Sequence, residues 1–246
     1  MFNFKHEWVE TNVGVMLVLV MLAISVGGLV EITPLFFIKN TVEPVKGVYP
    51  YTPLELRGRD IYQANGCFYC HSQMIRPFRD EALRYGHYSL AAESQYDHPF
   101  LWGSERQGPD LARVGGKYSN EWMVQHLISP RSVVPESIMP AFPFLEQPLA
   151  YNDIEQRMEA LRDAGVPYAL TPAENARNIK QFGPKIAEEL YIPDAKKNLI
   201  AQARAGDYDG HPGQITQMDA LVAYLQVLGT MVDFSKYPND QFVQDR

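Results

Sequence analysis

Cysteine is scarce in this chain of 246 residues: the sequence contains two, Cys67 and Cys70. Both lie in one short run, so no other cysteine is present to form a long-range disulfide. No second C-x-x-C pair and no H-x-x-x-H pair accompanies the run, and a zinc site needs about four Cys or His ligands in paired spacing. These absences exclude a disulfide-stabilised fold and a paired zinc site.

The chain also lacks an excess of positive charge, and its sequence is not repetitive. The chain has 22 Lys and Arg residues against 29 Asp and Glu residues, and the resulting net charge of −7 argues against a nucleic-acid partner. A mildly acidic surface suits a basic partner protein instead, with the charges steering the encounter. There is no internal repeat and no low-complexity tract, and a composition of 46% hydrophobic and 21% charged residues is that of a folded protein.

The two cysteines have the spacing of a haem-attachment motif, because His71 directly follows Cys70. Two thiols three positions apart each form a thioether to one vinyl group of a haem, and the adjacent histidine then reaches the iron. A thioredoxin-like redox pair or an ordinary disulfide explains C-x-x-C alone, but neither requires the histidine. We therefore predict one covalently bound haem c, with Cys67 and Cys70 as its attachment sites and His71 as an axial ligand.

One long apolar run lies near the N-terminus. It extends over residues 13–30 and resumes at residues 32–38 after Glu31, whereas a bilayer is crossed by about 20 residues. A cleaved secretory signal is the alternative, but the apolar run continues well past its poor cleavage site at residues 23–25. We predict an N-terminal membrane anchor of residues 1–39 in the lipid bilayer, with a transmembrane helix at about residues 12–38.

Two helices are predicted to frame the remaining chain, which begins after a linker at residues 40–51. Thr52 is a helix N-cap with a proline after it and a capping-box glutamate three residues on, so a helix should run from Pro53 to about Ala64. Thr216 begins a second helix, whose periodic apolar residues continue toward Gly229. Gly58 allows another helix to cross closely. Such a pair, with the first helix leading into C-x-x-C-H, resembles the class I cytochrome c fold.

Between the two helices the chain is longer than such a domain needs. Residues 72–102 are rich in Arg, Tyr and His, and residues 151–212 are polar, with helices predicted around 154–164, 172–181 and 196–205. We interpret both segments as insertions. The predicted fold is therefore mainly α, with a single transmembrane helix followed by a class I cytochrome c-like domain at residues 52–246 that carries helical and loop insertions.

Met139 is the best candidate for the second axial ligand of the iron. An electron-transfer haem with a raised potential commonly takes a methionine from the far side, and Pro140 pushes Met139 toward an extended conformation in a proline-stiffened loop. The alternative is a loop methionine that only packs. Other methionines lie in the apolar run, too near His71, or on predicted helices: Met16, Met21, Met74, Met123, Met158 and Met218. The histidines considered for a bis-histidine haem are His87, His98 and His126.

Further candidates surround the motif. A ligating imidazole normally donates its second N–H to a fixed acceptor, and the carbonyl of Pro109, in a G-P-D turn, is a suitable one. A guanidinium binds a carboxylate through two hydrogen bonds, so Arg76 and Arg113 are candidate partners of the haem propionates.

Three longer blocks make a family resemblance specific: residues 66–77 with C-x-x-C-H, residues 102–118 with the G-P-D turn, and residues 137–140 with S-I-M-P. Together with the apolar segment before them, these blocks resemble the monohaem subunit II of cbb3-type cytochrome c oxidases. The resemblance implies a single-pass protein of the bacterial inner membrane with its haem domain in the periplasm. It also implies two partners, a catalytic haem–copper subunit and a dihaem cytochrome c subunit.

The resulting hypothesis is electron relay without catalysis in this chain. Electrons would come from a soluble or membrane cytochrome c donor and pass to the catalytic subunit, where oxygen is reduced in aerobic respiration. Filled axial positions leave no site for oxygen, so no catalytic residue is expected here. The alternatives are the monohaem subunit of nitric oxide reductase, whose domain is smaller, a haem-based sensor or peroxidase with an open distal site, and a structural subunit whose haem is incidental.

The loop at residues 102–106 has a composition unusual for a solitary surface loop. Trp102 is followed by Gly-Ser and flanking charges, which predicts docking onto the catalytic subunit. Ser104 is a candidate ligand for a hard cation at that subunit interface.

Overall fold

A computed structural model describes residues 6–35, 45–103 and 105–236. The chain divides into two compact units, Met1–Pro44 and Val45–Arg246. The described residues are mainly helical and contain no strand, which confirms the predicted fold class.

In the first unit, the described residues 6–35 form two helices, α1 at His6–Thr11 and α2 at Val13–Leu35. The 23 residues of α2 are apolar enough to cross a membrane, and none of them is buried within the protein. At about 1.5 Å per residue, a helix of this length spans the ~30 Å hydrocarbon layer. An N-terminal helix long and apolar enough to span a membrane is thus confirmed, while residues 36–38 of the predicted span lie outside the described residues.

The second unit is built from helices joined by long loops. Its helices are α3 at Pro53–Ala64, α4 at Arg79–Tyr85, α5 at Asn120–Ile128, α6 at Pro130–Val133, α7 at Ile154–Asp163, α8 at Pro172–Phe182, α9 at Pro184–Glu189, α10 at Ala195–Gly206 and α11 at Gln217–Val227. The two framing helices and the three predicted helices within residues 151–212 are confirmed to within about two residues at each end.

Helices α3 and α11 begin at the predicted caps. The main-chain N–H of Thr52 donates to the Glu55 carboxylate over 2.8 Å, and the main-chain N–H of Asp219 donates to Thr216 Oγ1 over 3.1 Å. The two helices cross at Gly58, where an added Cβ would collide with the carbonyl oxygen of Ala220 and lie 2.6 Å from Tyr224 Cβ. The close crossing predicted at this glycine is confirmed.

We expect Gly58→Ala to destabilise the fold, because the new methyl group meets a main-chain carbonyl that cannot rotate away. Overpacking of this kind costs about 1–3 kcal/mol, which exceeds the gain of about 1 kcal/mol in helix propensity. Thermal unfolding of the full-length protein measures the effect. Gly213→Ala is the matched control, since no atom lies within 4 Å of its added Cβ. Equal melting temperatures for the two variants would contradict the close crossing.

Buried apolar residues form two clusters, and each cluster includes residues of both α3 and α11. One contains Leu54, Met158, Leu190 and Leu199 and so joins α3 to the segment at residues 151–212. That segment is also bound to α3 and the residues before it by polar contacts. Arg157 forms a bidentate ion pair with Asp60 at 2.9 and 3.1 Å, and Tyr168 donates to the Tyr51 carbonyl over 2.8 Å. The segment is therefore an integral layer of the second unit.

The other cluster lies under the C-x-x-C-H motif. Its buried members come mainly from α3, α5 and α11 and include Tyr62, Met123, Val124, Leu127 and Leu225. Partly buried residues that pack against them include Cys67, Phe68, Leu111, Phe142 and Met139. We call it the motif cluster.

Candidate haem site

The C-x-x-C-H motif forms one tight turn directly after α3. Gly66 adopts a left-handed conformation with φ 68°, and a 3₁₀ turn follows over Cys67–Tyr69. The main-chain N–H groups of Cys70 and His71 both donate to the Cys67 carbonyl, over 3.2 and 3.0 Å. Two thiols and one imidazole are thus presented from a single turn.

The two thiols are free and differ in their surroundings. Cys70 Sγ donates to Gln107 Oε1 over 2.9 Å, whereas Cys67 is partly buried and packs against the motif cluster. Burial, and to a smaller extent the neighbouring Cys70, raises the pKa of the Cys67 thiol to about 11. A thioredoxin-like pair depends on a lowered thiol pKa, so this environment disfavours that alternative.

The imidazole of His71 is held from behind by the turn at residues 108–111. His71 Nδ1 lies 2.8 Å from the Pro109 carbonyl oxygen, and a carbonyl only accepts, so Nδ1 carries the hydrogen and Nε2 keeps its lone pair. The ring lies directly on Gly108, where an added Cβ would stand 2.7 Å from Nδ1 and 2.9 Å from Nε2. His71 therefore offers Nε2 as a metal ligand in a fixed orientation.

Asp110 holds that turn against the motif. Its buried carboxylate accepts hydrogen bonds from Ser72 Oγ over 2.6 Å, from the Met74 main-chain N–H over 2.9 Å and from the Ala112 main-chain N–H over 2.8 Å. The Gly108 N–H donates to the Cys70 carbonyl over 3.0 Å. Asp110 was missed at the sequence level, although an acidic residue in a G-P-D turn is a recognisable turn signal.

An arginine pair extends this network. Arg106 donates to Ser72 Oγ over 2.6 Å and to Glu81 over 2.8 Å, and Arg76 also pairs with Glu81. Burial would raise the pKa of Glu81, but the hydrogen bonds from Arg106 and Arg76 outweigh it and lower that pKa to about 2. Arg76 lines a cavity of about 340 Å³ that reaches Pro109. Arg76 therefore lies near the turn, but its guanidinium already forms an ion pair with the Glu81 carboxylate.

Arg113, the other predicted propionate partner, is engaged elsewhere. Its guanidinium forms two hydrogen bonds of 2.8 Å with Glu93, donates to the carbonyls of Ala112 and Tyr88, and lies over the Phe234 ring. This geometry gives no support to a propionate role for Arg113. The candidate cation ligand Ser104 lies outside the described residues.

Met139 lies in the loop between α6 and the short turn at Pro143–Glu146. Its thioether is partly buried against the motif cluster, as Cys67 is. Arg131 Nε donates to the Ser137 carbonyl over 3.1 Å, and Ser137 Oγ accepts from the Met139 N–H over 3.2 Å. The methionines excluded as helical, Met123, Met158 and Met218, are all buried in α5, α7 and α11.

His87 and His126 differ in whether their Nδ1 atoms have a hydrogen-bond partner. His87 is buried, its Nδ1 lies 2.7 Å from the Tyr88 carbonyl, and its ring stacks on Phe234. His126 is different, because its Nδ1 is buried and has no hydrogen-bond partner among the described residues. Burial, and then the charge of His71, lowers the pKa of His126.

Trp102 packs within its own chain. Its ring stacks on Phe100 with centroids 4.6 Å apart, its Nε1 donates to Ser94 Oγ over 3.1 Å, and its carbonyl accepts from the Gln73 N–H over 3.0 Å. Both rings are exposed, Phe100 by 56% and Trp102 by 38%. Docking of this loop onto another subunit stays a prediction.

The residues present fit a haem. Two free thiols and an imidazole with Nε2 available come from one turn, a glycine leaves room for the ring, and a soft thioether packs on the same cluster. Within the described ranges, no cluster of three or more His, Cys, Asp or Glu side chains is arranged to hold a metal ion.

The comparison with protein families agrees with this chemistry. The family described as cytochrome c oxidase, mono-haem subunit/FixO, matches residues 6–232, which include α2, the C-x-x-C-H motif and α11. A search of curated proteins gives no match to the chain. The match extends over most of the sequence and confirms the resemblance to the cbb3-type oxidase subunit. This chain belongs to the FixO family of mono-haem cytochrome c oxidase subunits.

Proposed function

We propose that this chain relays single electrons within a cbb3-type oxidase and has no catalytic site of its own. It accepts an electron from a cytochrome c donor and passes it to the catalytic haem–copper subunit, where oxygen is reduced. The proposal is supported by membership of a family of cytochrome c oxidase subunits. The observation that carries it is the 2.8 Å contact of His71 Nδ1 with the Pro109 carbonyl, because it leaves Nε2 as a fixed iron ligand.

Each residue of the site has a defined part in this proposal. Cys67 and Cys70 would form the thioethers, His71 Nε2 and the Met139 thioether would hold the iron, and Pro109 orients His71. When bound, the haem supplies an iron that changes between the ferric and ferrous states by one electron. The motif cluster excludes water from one side of the site, so little solvent has to reorganise during transfer.

Two protein ligands distinguish a relay from an oxygen-binding site. With imidazole and thioether both provided by this chain, no axial position is left for a substrate. A sensor or peroxidase needs an exchangeable axial position, which would require Met139 to move away. For this reason we assign no catalytic residue to the chain.

Location and partners follow from the same proposal. Helix α2 anchors the chain in the bacterial inner membrane, and the haem domain lies in the periplasm. The proposed limits are residues 1–39 for the anchor, 40–51 for the linker and 52–246 for the haem domain, with insertions at 72–102 and 151–212. Besides the catalytic subunit and the donor, we propose a dihaem cytochrome c subunit as a partner.

Optical and magnetic spectra of the full-length protein in detergent test the relay. We expect one covalently attached haem, low-spin in both oxidation states, with no carbon monoxide binding to the ferrous form. A high-spin ferrous haem that binds carbon monoxide would contradict the relay and support an open distal site. A protein that carries no haem after passing through a c-type maturation system would contradict the haem site itself.

A further inference from the structure

The turn that supports the imidazole lies against the motif in a register of residue pairs. The Gly108 N–H donates to the Cys70 carbonyl over 3.0 Å. One position further along both segments, His71 Nδ1 meets the Pro109 carbonyl over 2.8 Å. The orientation of the imidazole therefore depends on how firmly these two segments are held together.

The next pair in this register is Ser72 and Asp110. Ser72 Oγ lies 2.6 Å from Asp110 Oδ2, and the Leu111 N–H donates to the Ser72 carbonyl over 2.8 Å. Arg106 Nε donates to Ser72 Oγ over 2.6 Å, so the hydroxyl proton is left to be donated to Asp110. The carboxylate thus joins the two segments directly beside the imidazole contact.

Asp110 also joins the segments through main-chain groups. Its Oδ2 accepts from the Met74 N–H over 2.9 Å on the motif side, and its Oδ1 accepts from the Ala112 N–H over 2.8 Å on the turn side. The side chain is 0% exposed, and Arg106 Nη2 approaches it at 3.4 Å. Hydrogen bonds to a charged group are stronger than those between neutral groups, so this buried carboxylate is a firm connection.

We propose that Asp110 is a positioning residue for His71: its carboxylate holds the Pro109 carbonyl on the imidazole and thereby lowers the haem potential, an inference that rests on the proposed function of the site. A firm hydrogen bond from Nδ1 increases the basicity of a ligating imidazole. A more basic ligand stabilises ferric iron, which carries one positive charge more than ferrous iron. The negative charge of the carboxylate acts in the same direction.

Asp110→Asn in the full-length, haem-loaded protein tests the assignment. The amide keeps the shape of the side chain but replaces one oxygen with NH₂, so either the Met74 N–H or the Ala112 N–H faces another donor. We expect the His71 Nδ1–H to exchange with solvent several-fold faster in the ferrous protein and the ferrous state to be favoured several-fold at a fixed potential. Nuclear magnetic resonance and a redox titration measure these two effects.

Ser72→Ala separates positioning from charge. It removes the hydroxyl that joins Arg106 to Asp110 and leaves the negative charge in place. We expect faster exchange of the His71 Nδ1–H and a shift toward the ferrous state, both smaller than in Asp110→Asn, because the two main-chain hydrogen bonds to the carboxylate remain.

Asp219→Asn is the matched control. Asp219 is also a buried carboxylate, 3% exposed, that accepts main-chain hydrogen bonds, from Thr216 over 3.0 Å and from Asp209 over 3.2 Å. It belongs to the N-terminal cap of α11 and has no hydrogen bond with the motif or the turn. This variant should lower the melting temperature and leave the exchange rate and the potential at their wild-type values.

Wild-type exchange rates and potentials in both Asp110→Asn and Ser72→Ala would overturn the proposal. A shifted potential in Asp110→Asn with a wild-type exchange rate would overturn it too, because the carboxylate would then act through its charge alone. Should Asp110→Asn not fold, the same measurements on Ser72→Ala decide the question, and wild-type values there would overturn the proposal. Failure of the wild-type protein to bind haem would instead refute the proposed function.

Discussion

Met139→Leu is expected to convert the ferrous protein into a high-spin form that binds carbon monoxide. Leucine has nearly the volume of methionine but no sulfur, so the motif cluster stays packed while the iron loses its second protein ligand. Axial ligands set haem potentials over a range of about 0.8 V, and we expect a fall on the order of 0.1 V or more here. Reduction of the haem by its electron donor should become correspondingly slow.

The measurements for this variant are carbon monoxide difference spectra and a redox titration. Met158→Leu is the matched control: it makes the same chemical change at a fully buried position in the other apolar cluster. Its haem spectrum should equal that of the wild type. An unchanged low-spin spectrum in Met139→Leu would show that a different side chain is the second axial ligand.

Gly108→Ala is expected to have the next largest effect, although it adds a single methyl group. That group would stand 2.7 Å from His71 Nδ1, so the imidazole has to tilt and lose its contact with the Pro109 carbonyl. Overpacking costs about 1–3 kcal/mol, and here the cost falls on the metal ligand itself. We expect a several-fold lower yield of haem-loaded protein and altered magnetic parameters in the fraction that retains haem.

The haem-to-protein ratio and the electron paramagnetic resonance spectrum measure this effect. Gly213→Ala again serves as the control, because no atom lies within 4 Å of its added Cβ. A variant Gly108→Ala with wild-type haem content and spectrum would mean that the imidazole does not rest on this glycine in the haem-loaded protein.

Local sequence features predicted the helices well. The cap at Thr52 and the apolar periodicity after Thr216 located α3 and α11 because these signals act within a few residues of one another. The close crossing at Gly58 was predicted for the same reason, since a missing side chain is visible in the sequence. Helix α9 at Pro184–Glu189 was not predicted; with six residues it is too short to show a clear period.

Side-chain partners distant in sequence were less predictable. Arg113 was a reasonable propionate partner by its charge and neighbourhood, but folding brings it beside Glu93, 20 residues away, and occupies its donors. His126 was considered only as an axial ligand. That its Nδ1 is buried without a hydrogen-bond partner among the described residues can be seen only in the folded chain. Such pairings depend on packing rather than on spacing.

By itself, the sequence determined the family, an N-terminal helix able to span a membrane, the framing helices and the C-x-x-C-H motif, because each depends on the type and spacing of residues close together in the chain. Only the tertiary structure decided how the motif is supported. His71 and Pro109 are 38 positions apart, and their contact requires the turn at residues 108–111 to fold back onto the motif. Chain reversal and side-chain packing, which local periodicity does not encode, gave His71 its orientation.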